Sequence, residues 1–389
     1  SENNSESMVN GLVRRDLLQS AIDDERLDIF AVNNETSHSL AESFTIDSVF
    51  EAKFVHQGAK AIFHHQLLSK KAGESDLVFG IEYAENKYHS IYLDEFDEHT
   101  IDGRAGGGNA EGQRKSFSAF TETYYDYSKA LNFNLSLRYD NYSGFDDKVS
   151  PKLGFTYVLN NEVTLRGSVG TGYRVPSLYE LYSQKSQSFA FVRDHKRCNS
   201  SIDLNSDGVP DNTQDLIVLG DSHPCRTVHV EAVVSGNVNL EPENSVSYTT
   251  GFTYQDKKNS RLHFNLYYQS YDNEIRLLQH NELTEREYKY GESKHVIRNE
   301  HGEIVQLLNF YENFSGTKMA GVDLDFDKYW QSKSNGNFTW STQISRVLFN
   351  KSEAIPGEGY EDFSGRLGIS KGRIKTAIKW YYNTWKSQI

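Results

Sequence analysis

The chain has 389 residues and a formal net charge of −13, with 37% apolar residues, 24 Tyr and 22 Phe, and a mean hydropathy of −0.65. The acidic balance and the lack of a basic stripe exclude a nucleic-acid partner. No window of 18 apolar residues exists, which excludes a transmembrane helix but leaves membrane-crossing strands open, since their hydropathy is much weaker.

In chain order, residues 1–43 are expected to form a loop or irregular segment. Leu12, Val13, Leu17, Leu18, Ala21 and Ile22 have roughly helical spacing, but the stretch is short and charged, as in a surface helix. From residue 44 to 389 the pattern is almost entirely strands. Candidates are Phe44–His56, Ala61–Leu68, Leu77–Tyr88, Phe117–Tyr127 and Leu131–Tyr142. In the last of these Leu131, Phe133, Leu135, Leu137 and Tyr139 oppose Asn132, Asn134, Ser136, Arg138 and Asp140, the period of two that a strand imposes. Two alternating segments follow across the Asn160-Asn161 turn, with Val163, Leu165, Gly167 and Val169 on one face. Val246–Tyr254 and Leu262–Tyr271 come next, then Tyr288–Val296, Ile304–Tyr311, Met319–Trp330, Gly336–Leu348, Phe363–Ser370 and Ile374–Trp385.

That reading gives about 15 strands of roughly ten residues, the length that crosses a bilayer when tilted. Short turns, at Asn160-Asn161 and at Gly372, are assigned to one side. Long connections, Tyr92–Lys115 and Ser183–Gly236, are assigned to the other, the asymmetry of outer-membrane barrels. The thin apolar content fits too, because only half of each such strand is apolar. Tyr124, Tyr125, Tyr127, Tyr267, Tyr268 and Tyr271 are read as interface girdles. A soluble antiparallel sandwich also alternates, so a calcium-stabilised adhesin or carbohydrate-binding module is the rival reading.

Three ordered boxes carry a family resemblance. Ser150-Pro151-Lys152-Leu153-Gly154 leads to Gly172-Tyr173-Arg174-Val175-Pro176-Ser177-Leu178-Tyr179-Glu180-Leu181-Tyr182. Gly236-Asn237-Val238-Asn239-Leu240-Glu241-Pro242-Glu243 follows, then Thr317-Lys318-Met319-Ala320-Gly321-Val322-Asp323-Leu324. The chain resembles the barrel of TonB-dependent outer-membrane receptors, departing from the usual boxes at Val175, Val238 and Thr317. The resemblance implies an all-β fold, an antiparallel transmembrane barrel of 22 strands filled by a plug domain. It also implies outer-membrane lipid and TonB as partners, and a scarce ligand, with iron–siderophore complexes as the default and haem, oligosaccharides or peptides as alternatives. Nothing resembles the plug or its TonB-contact motif, and the strand count falls about seven short. The chain is therefore expected to be an internal portion of such a receptor.

No catalytic motif is found: GxSxG, HExxH and a phosphate loop are all lacking. The long external loop at 183–236 holds both cysteines, Cys198 and Cys225, and a disulfide between them is expected in an oxidising compartment. Within it, Asp203, Asn205, Asp207 and Asp211 have the spacing of a calcium loop, with Gly208 at the turn. Gln214 stands at the twelfth position, where a bidentate Glu is usual. Possible Ca2+ is the only cofactor suggested. His195, His223 and His229 lie between the first and second boxes, where some haem-transporting relatives carry an external His, and each is a haem-ligand candidate.

Overall fold

The computed structural model describes residues 1–27, 40, 42–69, 73–92, 101–102, 109–202, 225–257, 259–291, 294–353, 359–366 and 368–388. In chain order the strands are β1 (Glu2–Arg14), β2 (Thr45–Ser69), β3 (Gly73–Tyr92), β4 (Ile101–Asp102), β5 (Ala110–Asp126), β6 (Leu131–Tyr142), β7 (Lys148–Val158), β8 (Val163–Arg174), β9 (Ser186–Arg193) and β10 (Thr227–Ser235). They continue with β11 (Glu243–Gln255), β12 (Ser260–Arg276), β13 (Val296–Arg298), β14 (Ile304–Phe310), β15 (Glu312–Ser332), β16 (Gly336–Glu353), β17 (Glu361–Asp362), β18 (Gly372–Tyr382) and β19 (Trp385–Gln388). Helices α1 (Arg15–Asp23), α2 (Leu178–Tyr182), α3 (His195–Ile202) and α4 (His280–Tyr290) lie between them.

Fifteen strands pair into one antiparallel meander, ordered β19-β18-β16-β15-β12-β11-β8-β7-β6-β5-β3-β2-β1-β4, with β17 on β16. The register carries one face from strand to strand. Leu135 pairs with Leu153, Leu153 with Val169, Val169 with Tyr248, Tyr248 with Tyr268 and Tyr268 with Ala320. One level nearer the short turns, Leu165, Phe252, Phe264, Leu324, Ile344 and Ile374 pair in the same way. The opposite face is polar, with Glu122, Ser136, Lys152, Gly170, Ser247 and Gln269 in register.

Among the described residues, no second layer covers the apolar face. Leu135 is 45% exposed, Leu137 47% and Ile374 71%. In water each large apolar side chain left out forfeits ~1.5–3 kcal/mol. A sandwich would bury this face against a second sheet, so the soluble module is not favoured; lipid is the environment that suits it. Among the described residues the meander is open, running from β19 to β4.

The strand ends are asymmetric. β2–β3, β5–β6, β7–β8, β11–β12, β15–β16 and β18–β19 are joined by two to four residues at one end. The long connections 175–242 and 277–311 emerge at the other, called the external end below. There they build a second sheet, β13-β14-β10-β9, with β10 and β14 parallel. Its buried cluster of Ala190, Val192, Val230, Ala232, Leu278, Leu283, Val296, Ile304, Leu307 and Phe314 is the principal apolar core among the described residues.

Several expectations are corrected. Residues 2–14, expected to be irregular, form β1, which pairs with β2 from Glu2 opposite Val55 to Val13 opposite Thr45; the polar SENNSES run hides it. Phe44–His56 and Ala61–Leu68 belong to the single strand β2, because Gln57–Lys60 continue the ladder. Tyr288–Val296 is not a barrel strand: helix α4 runs to Tyr290 and ends on Gly291 at φ 69. Ile304–Tyr311 falls largely in the external sheet as β14. The described residues of Phe363–Ser370 form turns rather than a strand, and Gly372 opens β18 on the long-connection side. Of the proposed girdle, register puts Tyr125 and Tyr268 on the apolar face but Tyr124, Tyr267 and Tyr271 on the polar one.

Candidate functional site

The sequence boxes meet at the external rim. After β8, Pro176 sets the chain up for α2, and Ser177 and Glu180 cap that helix reciprocally: Glu180 N–H donates to Ser177 Oγ at 3.1 Å and Ser177 N–H to Glu180 Oε2 at 2.6 Å. Arg174 then joins three segments. Its Nη2 donates to Glu243 Oε1 at 2.6 Å and its Nη1 lies 3.1 Å from Glu180 Oε2. Glu243 Oε1 also accepts from Ile275 N–H at 2.7 Å, which ties β12 into the same knot.

The second box closes against the first. Gly236 N–H donates to Ser183 O at 2.8 Å and Asn237 N–H to Glu180 O at 2.9 Å. A Cβ at Gly236 would lie 2.9 Å from the Leu181 carbonyl and Ser183 N, so only glycine lets this segment approach the end of α2. Asn313 completes the arrangement: its amide donates to Glu241 O at 2.8 Å and Asn273 O at 2.9 Å. These boxes are thus a clasp that fixes the roots of both long connections.

Beneath the clasp, on the polar side, is a cavity of roughly 810 Å³, lined among others by Arg114, Asp147, Lys148, Tyr173, Tyr182 and Asn239. Arg114 donates to the Pro176 carbonyl and lies over the Tyr142 ring, 5.6 Å from its centroid. Tyr179 of α2 stands edge-on to Tyr88 and Tyr311. The cavity thus offers cations, carboxylates, amides and ring faces at the mouth of the polar wall. Deeper in, Arg138 bonds Asp140 at 2.9 Å and Ser118 donates to Asp140 at 2.7 Å. Asn132, Asn134, Ser136 and Arg138 lie on this polar face, the side away from the apolar band.

The external sheet is locked from within. Cys198 and Cys225 form a disulfide. Arg298 grips two carboxylates in bidentate fashion: Asp194 at 2.7 and 2.8 Å and Glu287 at 2.9 and 2.7 Å. Burial opposes ionisation of Asp194, but its bonds to Arg298 outweigh it and hold its pKa below the usual carboxylate value. The same partners raise the pKa of Arg298. This hub fastens α3 and α4 to β13.

The histidine candidates separate. His195 Nδ1 sits 2.9 Å from Thr284 Oγ1, and burial lowers its pKa. His229 is exposed on the outer face of the external sheet, between Phe189 and Phe191 at ring separations of 5.4 and 4.7 Å. His223 and the calcium candidates Asp203, Asn205, Asp207 and Asp211 lie outside the described residues. The Arg298 hub escaped sequence reading because its members lie up to 104 residues apart. The cavity escaped it for the same reason, although Pro176, Ser177 and Glu180 marked where α2 would start.

Comparison with known proteins is concordant. The family described as "TonB dependent receptor-like, beta-barrel" matches residues 16–386. A probable TonB-dependent siderophore receptor, PirA of Acinetobacter baumannii, is 25% identical over 151 residues, which are 39% of this chain and 16% of that protein. The ferric enterobactin receptor of Pseudomonas aeruginosa is 30% identical over 117 residues, 28% of this chain and 15% of the relative. The crystal structure of A. baumannii PirA superposes with a TM-score of 0.51 at 16% identity, covering 87% of this chain and 41% of that one. A P. aeruginosa ferric enterobactin receptor mutant in complex with enterobactin gives 0.51 at 15%, covering 97% and 44%. The chain thus spans less than half the length of these solved receptors.

Proposed function

We propose that this chain, which belongs to the TonB-dependent receptor β-barrel family, forms part of the barrel of a receptor that takes up an iron–siderophore complex with energy delivered through TonB. Members of the family are outer-membrane proteins, and the unbroken apolar face suits that membrane. The observation that carries the reading is the division of one sheet into an apolar outer face and a polar inner one, with a clasped mouth at its external end. The siderophore class rests on relatives named as siderophore and ferric enterobactin receptors. In a closed barrel the polar face lines the lumen, where a plug would sit, and strands beyond these fifteen complete the wall, since lipid tolerates no open edge. The protein's part is binding and passage of the ligand rather than its conversion.

Titration of the purified chain with a ferric catecholate siderophore tests this reading, together with iron uptake in cells with and without TonB. Saturable binding and TonB-dependent uptake support it. Uptake that persists without TonB, or binding of no siderophore across catecholate, hydroxamate and carboxylate types, contradicts it.

A second reading, haem, rests on His229, an exposed imidazole flanked by two phenyl rings. It predicts a Soret shift on haem titration that His229→Ala abolishes; a shift that survives clears this residue of the role.

A further inference from the structure

Arg276 ends β12 at its external tip, paired across the ladder with Glu312 of β15. Its guanidinium lies over the Phe314 ring, 4.6 Å from the centroid, and Arg286 of α4 lies over the same ring at 5.5 Å. Phe314 is buried, so two cations converge on one apolar platform. Among the described residues, Glu312 is the carboxylate placed among them. Glu312 is contacted by Lys294, lies 3.6 Å from Arg286 and 3.2 Å from the buried His295. The nearby Glu274 accepts instead from Thr317 at 2.6 Å.

Arg276 is left over. Its Nε and Nη2 are buried and have no hydrogen-bond partner among the described residues. A guanidinium does not shed its charge when buried, and a buried cationic donor without an acceptor is a costly arrangement. Among the described residues, Arg276, Arg286 and Lys294 gather around Glu312, in a chain whose net charge is −13. The planar fork of Arg suits oxyanions held by two parallel hydrogen bonds. Lys294 is half exposed, which gives an anion a way in from solvent.

We infer that Arg276, Arg286 and Lys294 form a binding site for an oxyanion with the chemistry of a phosphate group, either free or carried on a lipid headgroup. This site lies outside the mouth cavity, and it stands whether or not the siderophore reading does.

The full chain, purified in detergent, is titrated calorimetrically with inorganic phosphate and, separately, with short-chain phosphatidic acid in the same detergent. Saturable binding is expected, weakened ~10-fold or more in Arg276→Gln and reduced in Lys294→Gln. Binding of the lipid alone assigns the headgroup, and binding of inorganic phosphate assigns the free ion. An unchanged urea midpoint shows that a variant is folded, and Lys294→Gln, at a half-exposed side chain, serves if Arg276→Gln does not fold. No binding of either ligand, or equal binding by wild type and a folded variant, overturns the inference.

Discussion

Arg298 shows how much one side chain can organise. Its two bidentate grips on Asp194 and Glu287 join segments up to 104 residues apart in the chain. Arg298→Ala strips the hydrogen-bonding cation from two buried carboxylates, leaving Glu287 with Lys196 at 3.6 Å, a loss of ~3–5 kcal/mol. Limited proteolysis between Ser186 and Tyr290 is expected to accelerate in that variant, with the barrel ladder unaffected; equal cleavage rates would mean that the hub is dispensable. Gly236 is a second such position. The backbone contacts that a Cβ would meet there predict that Gly236→Ala loosens the clasp, read as faster hydrogen exchange of the amides at positions 236 and 237, which donate to Ser183 O and Glu180 O. The hub is invisible in sequence because it is made of distant charges of ordinary type. The clasp is half visible: Ser177, Glu180 and the two boxes, Gly236 included, stand out, whereas Asn313 gains its role only where the connections meet.

At the scale of elements, the barrel strands are legible because alternation and pairing agree. The alternation over Leu131–Tyr142 covers the same residues that form β6. The external elements are harder to read, since a half-buried loop helix and a lipid-facing strand share the same composition of Tyr, Glu and Lys. In α4 the terminal Gly291 and the run of good helix formers are the better guide. The external subdomain is also expected to respond to pH. Burial lowers the pKa values of His195 and His280 below that of a free imidazole. The folded state holds these protons less tightly than the unfolded chain does, so the stability is present above the unfolded value, about 6.5, and is lost as pH falls below it. Asp194, whose pKa is also lowered, gives up its contribution only in stronger acid, below about 3.9. Protection factors of the β9 and α4 amides, taken against the intrinsic exchange rate at each pH, should therefore fall between pH 7.5 and pH 5.5 while those of β6 and β7 stay constant. A uniform response would refute a local origin. Reduction of Cys198–Cys225, which closes a 27-residue separation, should cost the same subdomain about 3–4 kcal/mol, measured as a lower denaturation midpoint of its resonances.

For the molecule as a whole, the two faces of the meander decide the environment, and this is where composition and strand pattern tell most. A thin apolar content, spread at every second residue over long strands, has no interior to fill and needs a solvent of its own. What composition leaves open is the location of a conventional core, which is confined to the external end. The measurement that tests the membrane-wall account most directly is a cysteine scan along β6 in outer-membrane vesicles. Residues Asn132 to Arg138 are replaced by Cys one at a time, labelled with a fluorophore, and quenched by lipids carrying nitroxides in their acyl chains. Strong quenching is expected at positions 133, 135 and 137 and weak quenching at 132, 134, 136 and 138. Quenching without that alternation, or recovery of the protein in the soluble fraction without detergent, would contradict the claim that this sheet is the wall of an outer-membrane barrel.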